Sequence, residues 1–234
     1  MRMNSLWTLV VVLAGCSSLT SDKLKTSGIT AHLQVTAKAD GQSDATATLN
    51  VGSSLIDFVE LASGDTLTAS TGGDSKTLTK TKLLGIVTYG ATFTGHTDGG
   101  TSYGFDLQRA SDTSAPSSTC TLPAGFEVTA PSGATHSRTS DDLTIGVAGS
   151  QTQLAWSADG SCIRSASAQA AVTGGTLVIP HGSLQANVAD GGVGTSCAVT
   201  VKLSDSKTGT LDPAFGGGSI ASVQEREFVI TSAP

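Results

Sequence analysis

Four cysteines and four histidines are the side chains of this 234-residue chain best suited to chemistry, and their spacing limits what they can do. Cys16 closes a short apolar run, directly after Leu13-Ala14-Gly15. Cys120, Cys162 and Cys197 are scattered through the remainder, none within metal-ligand spacing of another cysteine or a histidine. No basic residue flanks Cys120 to stabilise a thiolate, so it reads as a structural thiol and not a nucleophile. His32, His96, His136 and His181 are dispersed without an H-x-x-x-H pair, and His96 with Asp98 makes no ligand set on its own. Ser204-Asp205-Ser206-Lys207-Thr208-Gly209 holds an S-x-x-K and a K-T-G that share Lys207. Acyl transfer needs those elements far apart in sequence, one of them on a helix, so their overlap in one short stretch is a coincidence. No G-x-S-x-G elbow and no calcium-loop motif occurs, although Asp141-Asp142 could hold a loose ion. Asp190-Gly191-Gly192-Val193-Gly194 lacks the dinucleotide fingerprint and reads as a turn. The expectation is no cofactor, no metal site and no enzymatic centre.

Cys16 has a more specific context. Arg2 precedes Leu6 to Ala14, an apolar stretch of nine residues without a charge, and a spanning helix would need roughly 20. This is signal-peptide length, and no A-x-A site for ordinary secretory cleavage lies nearby. Leu13-Ala14-Gly15-Cys16 resembles the lipobox of bacterial lipoproteins. The resemblance implies that residues 1–15 are removed, that the Cys16 thiol carries a diacylglyceryl group, and that its new amino group is acylated. Several acyl chains, at about 0.8 kcal/mol per buried CH₂, give stable anchoring where one chain does not. Ser17 in place of Asp implies the outer membrane under the sorting rules known for some of these bacteria. The membrane is therefore the expected partner, through Cys16.

The rest of the chain must supply the elements that this anchor carries. Its formal net charge is −6, and the stretch after residue 15 loses the positive Arg2, so nucleic acid is not an expected partner. Ser and Thr number 64, with 28 Gly and few aromatics, a composition suited to short strands and many turns. In an exported, oxidising setting three remaining cysteines give one disulfide and one leftover thiol. Cys162 and Cys197 are the expected pair, since both begin apolar strand patterns in one region, leaving Cys120 free.

Residues 16–27 are polar and read as a tether. From Ile29 onward apolar residues alternate strictly with polar ones: Ile29, Ala31, Leu33, Val35 and Ala37, then Ala45, Ala47, Leu49 and Val51, then Val87, Tyr89, Ala91 and Phe93, then Tyr103, Phe105 and Leu107. Such strands have one buried and one wet face, as in antiparallel sandwiches. Lys76, Lys80 and Lys82 mark a strand polar on both faces, best placed at a sheet edge, with an anion-binding patch as the rival reading. Residues 110–119 lack apolar periodicity and read as a linker. Residues 120–234 repeat the pattern with Leu143, Ile145, Leu154, Trp156, Leu177, Val199, Val201, Leu203, Phe228 and Ile230 as inward positions.

The expected fold is thus all-β: two Ig-like or fibronectin-III-like antiparallel β-sandwich domains, at 28–109 and 120–234. The strands read as too short for a membrane barrel. Leu211-Asp212-Pro213-Ala214-Phe215-Gly216-Gly217-Gly218 is similar to a signature repeated in some bacterial surface proteins, but one copy makes no array. It reads as a loop. The functional expectation is a non-catalytic lipid-anchored cell-envelope protein, acting as scaffold, spacer or binding module toward an envelope protein or surface ligand. An envelope-acting hydrolase or enzyme accessory, and a surface adhesin or ligand-capture protein, are the alternatives.

Overall fold

A computed structural model describes residues 18–129, 131, 135–187 and 195–234. Cys16 with the whole of residues 1–17, and the glycine-rich Asp190–Gly194, lie outside the described residues. The first half contains β1 (Ser18–Thr20), two 3₁₀ turns (Ser21–Lys23 and Thr26–Gly28), β2 (Ile29–Ala37), β3 (Gln42–Val51), β4 (Phe58–Glu60), β5 (Thr66–Thr71), β6 (Asp74–Thr77), β7 (Thr79–Leu83), β8 (Ile86–Thr94), β9 (Ser102–Gln108) and β10 (Ala115–Thr121). The second half contains β11 (Glu127–Thr129), β12 (Thr135–Ser137), β13 (Leu143–Ala148), β14 (Gln153–Asp159), β15 (Ala166–Thr173), β16 (Thr176–Ile179), β17 (Cys197–Thr208) and β18 (Gly217–Ala233).

The chain is all-β and sandwich-like, with open sheets around two hydrophobic cores. In the first core, β2, β3 and β8 face a four-stranded sheet ordered β10-β9-β5-β6. The alternation read from the sequence sets the faces: Ile29, Ala31, Leu33, Val35 and Ala37 are all buried, while His32 and Gln34 are exposed. The lysine-rich stretch is two edge strands, not one. β6 pairs β5 in the small sheet, and the chain crosses at buried Leu78 so that β7 pairs β8 in the large one. The second core gathers Trp156, Phe126, Ile145, Leu177, Val201 and Ile230 between β14–β17–β18 and β13–β16. β15 changes sheets within itself, pairing β14 up to Ala171 and β16 from Val172. Not every pairing is antiparallel: β1 with β4, β12 with β18, and β18 with β2 run parallel.

The structure corrects three readings of the sequence. The linker assigned to 110–119 is half strand: β10 pairs β9, and Ala115, Cys120 and Leu122 sit in the first core. Its polar residues are used internally, with Ser117 N–H and Oγ donating to Asp212 and Ser118 Oγ accepting from Asp212 N–H. The second region does not hold residues 120–234 to itself, because Phe215 and Ile220 belong to the first core. Nor are the strands all short. β18 has 17 residues and β17 has 12, because the hairpin they form serves both cores in turn.

β18 enters beside β2, Gly217 opposite Thr30 and Gln224 opposite Ala37, and then continues into the second core. Its inward residues read Ile220, Ser222, Gln224, Arg226, Ile230 and Ser232, so the centre of the strand buries polar groups. These groups form the junction. Ser222 Oγ donates to Thr121 O (2.7 Å), Gln224 Nε2 donates to Thr97 O (2.7 Å), and the Arg226 guanidinium lies 5.2 Å from the Phe126 ring centroid. Gly99 makes the close approach possible, since a Cβ there would fall 2.8 Å from Ala124 Cα.

The start of β18 depends on glycine for the same reason. Gly218 has φ +120°, and a Cβ would lie 1.9 Å from Ala31 O on the neighbouring strand. Gly218→Ala is expected to cost about 3–5 kcal/mol in chemical denaturation, from strain plus overpacking. Gly28→Ala, at a site with open space and no left-handed φ, is expected to stay within about 0.5 kcal/mol of wild type.

Candidate functional site

The residues after the expected anchor are not a free tether. Ser18, Leu19 and Thr20 form a strand opposite Phe58, Val59 and Glu60, and Ser21 and Thr26 are buried. What holds this segment down is a buried ion pair. Arg109 and Asp65 have almost no exposed side-chain surface, and Arg109 Nε lies 2.7 Å from Asp65 Oδ2, an ionic contact off the N–H axis. The rest of the guanidinium faces the N-terminal segment: Nη1 donates to Thr26 Oγ1 (3.0 Å), and Nη2 donates to Ser21 O (2.6 Å) and Leu24 O (3.0 Å). Asp65 in turn accepts from Ser21 Oγ (2.6 Å) and from Ala110 N–H (2.7 Å). Asp112 accepts from Thr26 N–H, and that bond, with one from Thr113, holds its carboxyl below the usual range. A buried guanidinium is tolerated only when its donors are matched, and the carbonyls of residues 21 and 24 do the matching.

Glu60 fixes the very start of the segment. Its carboxylate accepts from Lys82 Nζ (2.6 Å), Lys80 Nζ (2.8 Å) and Ser18 Oγ (2.7 Å). Lys82 Nζ also donates to Ser18 Oγ at 3.1 Å. The two lysines and Ser18 lower the Glu60 pKa to about 2. Tyr89 steadies the strand that carries Glu60, its hydroxyl donating to Val59 O (3.1 Å) and accepting from Leu61 N–H (2.8 Å). Lys80 and Lys82, read from the sequence as edge residues or an anion patch, have this carboxylate as their partner.

At the opposite end of the fold Cys162 and Cys197 are joined by a disulfide, Cα–Cα 5.7 Å. The bond ties the loop after β14 to the start of β17, adjacent strands of one sheet, so it is not the inter-sheet pin of antibody domains. Closing a 35-residue separation stabilises by about 4 kcal/mol in the chain-entropy picture. Beside it runs an open groove of 810 Å³, lined by Asp159, Arg164, Thr200, Lys202 and Glu227 among others. Lys202 sits 3.1 Å from Glu227 and 3.4 Å from Glu225, and its pKa is raised by them. Cys120 is in the first core, its thiol pushed up to about 11 by burial, which suppresses the thiolate.

The histidines do not converge. His96 Nε2 meets Asp74 (2.8 Å) and His181 Nδ1 meets Asp142 (2.8 Å), while His136 contacts Asp141 O (3.0 Å). His32 Nδ1 lies 3.2 Å from Ser219 Oγ with no carboxylate behind it. No group of three metal-ligating side chains occurs among the described residues. Ser204 and Lys207 fall on one strand three residues apart, which sends them to opposite faces. The Leu211–Gly218 stretch is a packed turn: Phe215 is in the first core, and Asp212 is buried and accepts from Ser117 and Ala214 N–H. Residues missed in the sequence are Asp65, Arg109, Glu60 and Gln224. Each looks like an ordinary surface polar residue until its partner, far away in sequence, is known.

No protein-family model and no curated protein matches this sequence. Among solved structures, the titin A168169 structure aligns with 87% of this chain and 96% of its own, at 9% identity and a TM-score of 0.27. The adhesin InvE of Yersinia pseudotuberculosis aligns with 88% of this chain at 14% identity and a TM-score of 0.24, and the aligned part is 59% of the adhesin chain. The sandwich assignment rests on the strand pairing and cores described above.

Two outcomes are expected of this geometry. Glu60 has a folded pKa near 2 against an ordinary 4.5, so its contribution is complete above pH 4.5 and is lost as pH falls toward 2. Wild type should lose more stability than Glu60→Gln across that window, by on the order of 1–2 kcal/mol given the half-exposed lysines, measured by denaturation at stepped pH. Non-reducing peptide mapping is expected to link Cys162 to Cys197 and to find Cys120 as a thiol that reacts only after denaturation. A peptide joining Cys120 to either partner would contradict the arrangement.

Proposed function

We propose that this is a non-catalytic, lipid-anchored protein of the bacterial cell envelope, held on the outer membrane through acylated Cys16. Its two cores act as a stiff scaffold, spacer or binding module. The observation that carries this reading is the placement of the N-terminal segment. It is fastened by Arg109 and Asp65 to the first sandwich at the end where β2 begins, and the β17–β18 hairpin runs from the first core into the second. A force or a partner acting at the far end would be transmitted through the hairpin to the anchor. The disulfide lies at that far end and the mixed-charge groove runs from it to Lys202 and Glu227 beside the junction, which suits them to an envelope protein or a surface ligand.

The test is labelling of growing cells with radioactive palmitate, with and without globomycin, in wild type and Cys16→Ala. Wild type should take up label and accumulate as precursor under globomycin, and Cys16→Ala should do neither. Unlabelled wild type with globomycin-insensitive processing would dismiss the lipid anchor. Protease shaving of the same cells then shows which side of the outer membrane the cores face.

A further inference from the structure

Eight large apolar side chains are exposed among the described residues, and six of them cluster at the end of the first sandwich where the chain enters. Leu83 (69% exposed), Leu84 (88%) and Ile86 (47%) form the tip of the β7–β8 hairpin. Leu55 (80%) and Ile56 (62%) form the loop before β4, and Leu19 lies on β1. This loop is ordered: Ser54 and Asp57 bond reciprocally, and Gly52 N–H donates to Gly28 O (2.8 Å). Both tips flank Ser18. Lys82, one residue before the hairpin tip, reaches Ser18 Oγ, and Ser18 stands opposite Phe58, two residues after Ile56. Cys16 lies two residues upstream, at most about 7 Å from Ser18.

Folding does not account for the hairpin tip. Leu84 and Gly85 are a two-residue turn with φ of +50° and +86°, the conformation in which Asn-Gly is preferred. Leu84 is the one non-glycine residue with positive φ among the described residues. A leucine there meets backbone strain and exposes its whole side chain to water. Contiguous apolar patches of this kind mark a contact surface.

We propose that the Leu83–Ile86 hairpin tip and the Leu55–Ile56 loop insert into the lipid bilayer to which Cys16 is anchored, seating the first sandwich directly on the membrane. The inference rests on the lipid-anchor reading, and the chain itself names the occupant. On that reading the lipid is attached two residues before Ser18, the residue that both tips flank. Side chains of this size reach the headgroup–acyl boundary, where binding scales with the apolar area buried. The tips thereby convert a loose tether into a fixed orientation.

The test uses lipidated protein reconstituted in vesicles of phosphatidylethanolamine and phosphatidylglycerol, with an environment-sensitive fluorophore at Leu84→Cys or, at the far end, Thr139→Cys. The probe at 84 should shift to the blue and be quenched by doxyl-labelled lipids, and the probe at 139 should do neither. In unlipidated Cys16→Ser protein, Leu84→Asn with Leu55→Asn should lower vesicle co-sedimentation about tenfold. Leu84→Asn alone should raise the melting temperature, since it improves the turn, which separates lost membrane contact from lost fold. Anchored protein with both probes in water overturns the inference and leaves the lipid anchor standing. Wild-type protein that takes up no palmitate in cells, yet binds vesicles through residue 84, does the reverse. An unlipidated dimer that Leu84→Asn dissociates would make this face a contact between copies and overturn the membrane assignment.

Discussion

One strand that must satisfy two cores governs this molecule. At about 3.3 Å per residue, the 17 residues of β18 span roughly 56 Å, longer than one small sandwich. Its first half is fixed by parallel pairing to β2, from Gly217 to Gln224, and the stretch from Ala221 to Ser232 by antiparallel pairing to β17. The two cores therefore share a hydrogen-bonded backbone where two beads would share only a flexible connection. Bending at the junction would break ladder hydrogen bonds and expose Gln224 and Ser222, whose side chains are spent on the carbonyls of Thr97 and Thr121. Stiffness here follows from backbone pairing, a stronger constraint than a few interdomain side-chain contacts.

The Arg109–Asp65 pair does for the N-terminus what β18 does for the junction. A polar segment such as Ser21–Gly28 gains little from apolar burial, so it stays attached only through matched polar bonds. The donors come from an arginine whose desolvation those bonds offset, and the arrangement is all-or-none: removing either ion leaves the other buried and unmatched. Glu60 adds a second clamp at the surface, where screening makes it weaker and sensitive to acid. The buried pair fixes where the segment goes, and the surface triad fixes its direction of approach.

What the sequence made legible follows from these physical distinctions. Strands with one apolar face, such as β2, β8, β9 and β14, announce themselves by alternation, because the solvent face must be polar. β10 did not, because its inward residues are Ala115, Ser118 and Cys120 and its serines are consumed by Asp212. The middle of β18 did not either, because Ser222, Gln224 and Arg226 occupy inward positions that an apolar template rejects. Both failures fall where a strand meets a neighbour remote in sequence, so polar partners replace apolar contact. The N-terminal segment misled for the same reason: its serines and threonines read as solvated, whereas they bond a buried arginine. Alternation reports burial against a core, and it is silent about burial against another polar group.

The two ends of the molecule then divide the stability problem differently. At the far end β17 begins and β18 finishes, Cys197 opposite Ser232, at the edge of the second core. A disulfide is the economical device there, since it acts by restricting the unfolded chain and needs no extra apolar area. At the chain-entry end the fold does the opposite and leaves aliphatic side chains outside, one of them in a strained turn. A protein selected for solubility alone would place Asn at residue 84 and polar residues at 55 and 56. On the proposed reading the local cost is offset only when lipid covers the tip. The same exposed surface that weakens the free protein then orients the bound one, and the direction of β18 carries that orientation to the disulfide-braced end.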